Sequence, residues 1–254
     1  MLATALPDAL ALSPHCTHIK GHGGLKATVS ALHSALPDYS YVMKTDVKRY
    51  YESIDHKILL KQFDKDIADP FIWRLLVQFV KRTVEKGGTF KSIPCGISRG
   101  CPLSPVIAAY YLKGLDEQME GDPRYFYRRY VDDIIVLAKN RWHLRKAVRI
   151  VNQQFNQLKV EQAPDKTFIG YIAKGFDFLG YHFSRESVAI ANITIERMRI
   201  KYKRLYEQTK TTPQGAAICA EYLKRWLRWT QAGLPPEIQR LAFASPRGGY
   251  TEES

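Results

Sequence analysis

The amino-acid sequence predicts an α+β fold with helices flanking a mostly antiparallel sheet, and three observations carry that expectation. The runs Tyr125-Phe126-Tyr127-Arg128-Arg129 and Ile134-Ile135-Val136-Leu137-Ala138 have strand character and meet at Tyr130-Val131-Asp132-Asp133. They read as a β-hairpin with two acids at its tip. Val42-Met43-Lys44-Thr45 reads as a further short strand ending in an acid, Asp46. Segments of helical period lie between and beyond these strands.

Taken in order, residues 1–40 are mixed, with His22-Gly23-Gly24 as a turn and Leu25–Leu36 as a helix. After Asp46 a turn and the pair Tyr50-Tyr51 lead into a helix from about Lys57 to Asp66, with Asp55 as its N-cap. Pro70 opens a helix over Phe71–Val84, whose apolar face includes Ile72, Leu75, Leu76, Phe79 and Val80. Lys86-Gly87-Gly88 is a turn. Leu103–Met119 reads as one buried helix, with Pro102 and Pro105 tolerated near its first turn. Beyond the hairpin come an amphipathic helix, Arg141–Leu158, and strand-like segments at Phe168–Ile172 and Phe176–Phe183. A composition change near residues 185–195 marks a boundary, after which Thr194–Lys210 and Pro213–Gln231 are helical.

The acids give this frame its chemistry. A lone Asp-Asp pair is common in surface turns, but carboxylates beside buried strands must be paired or bind metal. Asp46 lies too far ahead of the next helix to be its cap. Two acids from separate strands meeting at one sheet edge form the oxygen-rich cradle that Mg²⁺ prefers. In two-metal phosphoryl transfer one ion activates a 3′-hydroxyl and the other stabilises leaving pyrophosphate, with the ions ~3.5–4 Å apart.

These residues resemble the reverse transcriptases, especially the bacterial group II intron type and its free-standing relatives. Asp46 followed by Tyr50-Tyr51 looks like the family's first catalytic motif, and Tyr130-Val131-Asp132-Asp133 like its acidic tetrapeptide. Gly96-Ile97-Ser98-Arg99-Gly100-Cys101-Pro102-Leu103-Ser104-Pro105 resembles the template- and nucleotide-positioning motif. Ala163-Pro164-Asp165-Lys166-Thr167 resembles the lysine-bearing motif, and Phe176-Asp177-Phe178-Leu179-Gly180-Tyr181-His182-Phe183 the primer-grip hairpin. The resemblance implies a right-hand polymerase palm with an antiparallel sheet and flanking helices, reduced fingers and a short helical thumb. Its divisions are partial fingers at 1–45, palm at 46–185 with finger-side helices inserted at about 57–95, and thumb at 186–254.

The same resemblance implies roles. Asp46 and Asp132 are metal ligands, with the Val47 carbonyl as a third donor and Asp133 as a supporting acid, because adjacent strand residues face opposite ways. The cofactor is a pair of Mg²⁺ ions, for which Mn²⁺ can substitute. Lys166 takes the place of the lysine proposed to protonate pyrophosphate; a surface lysine after a Pro-Asp turn reads equally well. Tyr51 sits at the steric-gate position that selects dNTPs, while Tyr50 is core. Arg99 and Gly100 contact the nucleotide. Gly96, Phe178, Leu179, Gly180 and Tyr181 position template and primer, as do Lys224, Arg225 and Arg228 on the last helix, where basic residues interleave with Trp226 and Trp229.

Two departures stand out. Arg99 replaces the glutamine usual before the second glycine, bringing a permanent charge and a fork suited to phosphate. Only 45 residues precede Asp46, so the fingers are short or the frame is a remnant; Lys20 and Lys26 are weak candidates for holding a triphosphate. No HNH-type endonuclease residues follow the thumb. Retroelement, retron-like and phage-defence roles remain equally open.

Composition agrees with a nucleic-acid partner: the acids at 46, 132 and 133 stand inside a basic chain. The chain has 254 residues, with 38 Lys+Arg against 25 Asp+Glu and a formal charge of +13. Such an excess suits a polyanion, although ribosomal and membrane-surface proteins are equally basic; the resemblance implies an RNA template, generic or a dedicated structured RNA, with a DNA or RNA primer and dNTPs. A protein partner or oligomer stays open. Cysteines 16, 95, 101 and 219 show neither CxxC nor zinc spacing and read as thiols of a reducing compartment. No signal peptide and no apolar run of ~18 residues appears, so a cytoplasmic protein without a membrane span is expected. The alternatives are a non-catalytic RNA-binding protein and a template-independent or structured-RNA-primed polymerase.

Overall fold

The structure, a computed structural model, describes residues 6–7, 9–81, 83–185 and 187–231. In chain order its elements are α1 (Gly24–Ala35), β1 (Tyr41–Thr45), the single turn α2 (Tyr50–Ser53), α3 (His56–Asp66), α4 (Pro70–Val80), β2 (Thr83–Lys86) and β3 (Thr89–Ser92). Then come α5 (Ser104–Tyr111), α6 (Lys113–Met119), β4 (Tyr125–Tyr130), β5 (Asp133–Ala138), α7 (Arg141–Leu158) and β6 (Phe168–Tyr171). β7 (Phe176–Phe178), β8 (Tyr181–Phe183), β9 (Val188–Ile190), α8 (Asn192–Thr209) and α9 (Gly215–Gln231) complete the series. The described residues up to Leu25 and from Tyr39 to Gly170 form one compact unit; Lys26–Asp38 and those from Tyr171 onward form another.

In the first unit the sheet order is β4-β5-β1-β6, and β5 pairs antiparallel with both neighbours. The β4–β5 register closes on Tyr130 opposite Asp133, leaving Val131-Asp132 as the two-residue turn. Ile134 through Ala138 are all fully buried, as a central strand covered on both faces must be. Ile134, Val136 and Ala138 join Ile107, Leu115, Val151 and Phe155 in one core, so α5, α6 and α7 pack on that face. His15–Thr17 run alongside β4: Arg129 N–H donates to the His15 carbonyl at 2.9 Å and Thr17 N–H to the Arg129 carbonyl at 2.8 Å.

Three elements differ from the sequence expectation. The helix opened by Pro70 stops at Val80, and Thr83–Lys86 instead pairs with Thr89–Ser92 around Gly87-Gly88; β-branched residues ahead of a Gly-Gly turn favour a hairpin over another helical turn. The buried helix after Pro102 breaks at Leu112, just ahead of Gly114, whose missing side chain makes room for Gln154 of α7. β9 adds a third strand to the β7–β8 hairpin. Other boundaries hold within two residues, and the Asp55 carboxylate caps α3 by accepting from Lys57 and Ile58 N–H at 2.9 and 3.1 Å.

Burial along β4 alternates, with Tyr125, Tyr127 and Arg129 inward. The guanidinium of Arg129 is therefore fully enclosed, and it is met in kind. Its Nε donates to Asp116 Oδ1 at 2.8 Å, its Nη2 donates to Asp116 Oδ2 and, at 3.0 Å, to the Ala109 carbonyl, and Tyr127 Oη donates to Asp116 Oδ1 at 2.6 Å. A buried ion pair is stable only when its hydrogen-bonding capacity is filled in this way. Asp116→Ala leaves the Arg129 charge buried alone and is expected to cost about 3–5 kcal/mol, whereas Asp116→Leu with Arg129→Met should recover most of it. Urea melts of the two variants check this, and a single-variant loss below about 1 kcal/mol would refute an enclosed pair.

Candidate active site

The first acid is delivered by the end of β1. Beyond Thr45 the chain leaves the ladder with β5 and pairs instead with 161–163: Ala163 N–H donates to the Asp46 carbonyl at 2.9 Å and Lys48 N–H to the Glu161 carbonyl at 2.8 Å. Val47, bridged to Gln162, occupies the position between those bonds. Asp46 is thus held by its backbone at the sheet edge, with its side chain nearly buried.

The second acid sits on the β4–β5 turn. Val131 takes φ 60, a left-handed conformation that a β-branched residue adopts only when its surroundings enforce it. Both polar atoms of that residue are captured. Arg129 Nη1 donates to the Val131 carbonyl at 2.7 Å, and Val131 N–H donates to His18 Nδ1 at 3.0 Å. Burial lowers the His18 imidazole to about 4, so it is neutral. With Nδ1 accepting, its Nε2–H donates to the Pro105 carbonyl at 3.1 Å. His18 therefore ties the acid-bearing turn to the start of α5, and the Asp116–Arg129 pair braces the turn from beneath.

Asp46, Val47 and Asp132 line one cavity of 640 Å³. Asp132 lies within hydrogen-bonding reach of Asp46, and burial together with the Asp46 charge pushes the Asp132 carboxyl up to about 6. Asp133, first residue of β5 and not among the cavity's lining, is raised to about 7 by burial and by the charges of Asp46 and Asp132. Lys166 Nζ donates to Asp46 Oδ2 at 2.6 Å, and that bond raises the lysine's pKa. Among the described residues no group of three or more His, Cys, Asp or Glu is arranged to hold a metal by itself. The donor chemistry nonetheless fits a hard divalent cation, because like charges forced together favour one, and Mg²⁺ is commonly bound by one or two carboxylates plus substrate phosphates.

The remaining cavity walls come from α2 and the loop before α5. Tyr51 and its neighbour Tyr50 both line the cavity, Tyr50 from a buried position with its hydroxyl donating to the Ala108 carbonyl at 2.5 Å. Arg99, Gly100 and Cys101 line it from the facing loop. Arg99 Nη2 lies 2.8 Å from Glu52 Oε1, which orients the guanidinium beside the Tyr51 helix. Gly96 plays a different part. It is not among the lining residues: its N–H donates to the Ile54 carbonyl at 2.8 Å, His56 Nε2 lies 2.7 Å from its carbonyl, and at φ 92 an added Cβ would sit 3.3 Å from the Glu52 carbonyl oxygen. Glycine there lets the loop lie on α2.

Phe178, Leu179, Gly180 and Tyr181 belong to the second unit. Leu179 and Gly180 both take positive φ, 49 and 86, the tight two-residue hairpin turn that matches strand twist. Phe178 and Tyr181 are buried, leaving Leu179 and Gly180 as the half-exposed pair. Tyr181 stacks on Trp229 at 5.8 Å. The Lys26 ammonium lies over both rings and donates to the Tyr181 hydroxyl and the Trp229 carbonyl; burial lowers its pKa to about 8. Lys26, a candidate for holding a triphosphate, thus pins α1 to α9. Lys224, Arg225 and Arg228 are exposed on α9, with Arg225 Nε donating to Glu221 at 2.9 Å.

Sequence reading passed over Arg129, Asp116 and His18. The period-two alternation that put Tyr125 and Tyr127 inward places Arg129 on the same face, and an inward arginine demands an acid. No comparable signal marks His18.

The family model described as reverse transcriptase (RNA-dependent DNA polymerase) matches residues 7–183, over half of the chain. Protein YkfC of Escherichia coli (strain K12) is 23% identical, the match covering 58% of this chain and 47% of that protein. Among solved structures, telomerase from Candida albicans in complex with a fragment of telomeric RNA matches 91% of this chain and 46% of its own, at TM-score 0.57 and 12% identity. Apo telomerase from Candida tropicalis, truncated from its C-terminal domain, matches 65% and 40% at TM-score 0.54 and 16% identity. The chain spans about half the length, or less, of each of these relatives. At such identities the structural likeness establishes the fold, a mixed helical and antiparallel polymerase palm, and with the family model it shows that the chain belongs to the reverse transcriptase (RNA-dependent DNA polymerase) family.

Proposed function

We propose that this chain catalyses RNA-templated DNA synthesis, transferring nucleotides from dNTPs to a primer 3′-hydroxyl in the manner of the group II intron-like and free-standing reverse transcriptases. The observation that carries the reading is the meeting of Asp46, from the end of β1, and Asp132, from a strained and braced turn, across one cavity walled by Tyr51, Arg99 and Gly100. Asp46, the Val47 carbonyl and Asp132 would hold Mg²⁺, or Mn²⁺ in its place, with Asp133 in support. Such ions activate the attacking hydroxyl and stabilise the leaving pyrophosphate.

On this reading Tyr51 presents its ring where a ribose 2′-hydroxyl would stand, Arg99 offers its fork to the triphosphate, and Lys166 supplies a proton to the leaving group. Residues 1–45, 46–185 and 186–254 serve as partial fingers, palm and thumb. Phe178–Tyr181 position the primer, Tyr181 and Phe178 from the core and Leu179-Gly180 from the surface, and Lys224, Arg225 and Arg228 contact backbone phosphates. Among the described residues no helix is long and apolar enough to cross a membrane; a cytoplasmic location is part of the proposal.

Extension of a DNA primer on an RNA template with dNTPs and Mg²⁺ tests the reading. Asp132→Asn is expected to lower the rate at least about a hundredfold, since a metal ligand contributes several kcal/mol to the barrier, while RNA affinity persists. RNA binding without extension in the wild type would replace the polymerase with a binding protein. Extension without template would point to a template-independent synthesiser. Tyr51→Ala should raise rNTP use relative to dNTP on the order of tenfold; unchanged selectivity would remove Tyr51 from the gate.

The raised carboxyls add a pH prediction. Between their ordinary 3.8 and the native values of about 6 and about 7, the folded protein holds more protons than the unfolded chain. Stability of the metal-free protein therefore falls as pH rises from about 4 to about 7 and levels above that. A cation bound to these groups displaces those protons, so the rise in Tm on adding Mg²⁺ should be larger at pH 8 than at pH 5.5. A ligand at a hundred times its Kd contributes about 2.7 kcal/mol. Equal Mg²⁺ responses at the two pH values, or a response kept in Asp132→Asn, would contradict this.

A further inference from the structure

The helix α7 packs its Leu144, Ala147, Val151, Phe155 and Leu158 into the core, and its opposite face is unusual. Trp142 is 75% exposed, although tryptophan is among the most buried side chains on average. Arg145 lies over its ring at 5.3 Å. On a helix, Trp142, Arg145, Lys146 and Arg149 fall at i, i+3, i+4 and i+7 and form one stripe, and all four are exposed. The 18 residues of α7 contain no acid. Among the described residues no ion pair involves Arg145, Lys146 or Arg149; Asp122, whose charge reaches Lys146, is held by Arg124 at 2.7 Å.

We propose that this outer face of α7 is a second binding surface, for a single strand of nucleic acid lying outside the catalytic cavity. Cations that make no ion pair among the described residues attract the phosphates, and an exposed tryptophan flanked by guanidinium offers a base a stacking platform. Position separates it from the site already described. Trp142, Arg145, Lys146 and Arg149 do not line the cavity, and β5 runs six residues, roughly 20 Å of strand at 3.3 Å per residue, from the Asp132 turn to Ala138 before α7 begins. A strand gripped at both places would gain through effective concentration rather than through new chemistry. An anionic membrane surface suits the face less well, since an interfacial helix must bury its apolar side in lipid, and the apolar side of α7 is already in the protein core.

Binding at this face is measured independently of polymerase activity. The full chain is titrated with 20-nucleotide single-stranded RNA and with DNA of the same sequence, across a range of salt. R145Q/K146Q/R149Q, all exposed and therefore expected to melt like wild type, should bind either strand at least tenfold more weakly at 0.1 M salt. The log–log salt slope should shrink by about 2, near 0.7 per lost phosphate contact. W142A should weaken binding about fivefold or more and W142F should restore it, because a phenyl ring still stacks. Loss of binding in these variants supports the proposal whether or not wild type extends a primer. Wild-type affinity and slope in the triple variant overturn it, as does loss of binding to phosphatidylserine vesicles with nucleic-acid affinity intact.

Discussion

An arginine and an aspartate that water never reaches set the terms for the acid-bearing turn. Arg129 lies inward because β4 alternates, and Asp116 meets it because an uncompensated guanidinium would be intolerable there. Once paired, Arg129 has a donor to spare, and it goes to the Val131 carbonyl. The neutral imidazole of His18 takes the other side of the same residue. A valine at φ 60 is otherwise the first conformation a relaxing turn would abandon. Asp132 follows Val131, so the direction of its carboxylate is decided by a charge pair buried in the core. The strain at the tip and the ion pair beneath it are parts of one arrangement.

The cavity has the opposite electrostatic problem. Three carboxylates, Asp46, Asp132 and Asp133, stand near one another at a sheet edge, and two of them are pushed toward neutrality by burial and mutual repulsion. Lys166 hydrogen-bonds Asp46 alone, and its charge offsets only part of the rise at Asp132 and Asp133. The protein as a whole carries +13, yet its positive charge is spent elsewhere: within the core at Arg129, over aromatic rings at Lys26, and along the exposed faces of α7 and α9. On the reading proposed above, these acids receive a positive charge and the outlying cations receive phosphate.

Much of this was legible in the residues. The hairpin, the Asp46 strand, the Asp55 cap and the limits of α7 follow from alternation, capping and helical period, because those signals are local and the structure obeys them. The bringing together of Asp46 and Asp132 was readable through motif order, since nothing within either segment encodes their distance. What escaped were features set by packing partners far away in sequence. Nothing in the sequence around Gly96 announces the backbone of α2 that lies against it. Nor does the sequence around Lys26 announce the Tyr181 and Trp229 rings beneath its ammonium. His18 carries no pattern that announces a partner 113 residues away.

Arg99 shows how a departure from the family pattern can be absorbed. The usual glutamine is neutral, so a permanent charge in its place must be balanced or hydrated. Glu52, one helical position beyond Tyr51, supplies the counter-charge at 2.8 Å, with both side chains at least half exposed. An exposed pair of this kind contributes about 0–1 kcal/mol, enough to orient the fork and too little to hold it against a stronger anion. On the reading proposed above, a triphosphate entering beside Tyr51 would compete for Arg99 on favourable terms, since a guanidinium binds phosphate in two-point geometry. The charge introduced at this position is therefore kept at the cavity mouth by a bond weak enough to be exchanged.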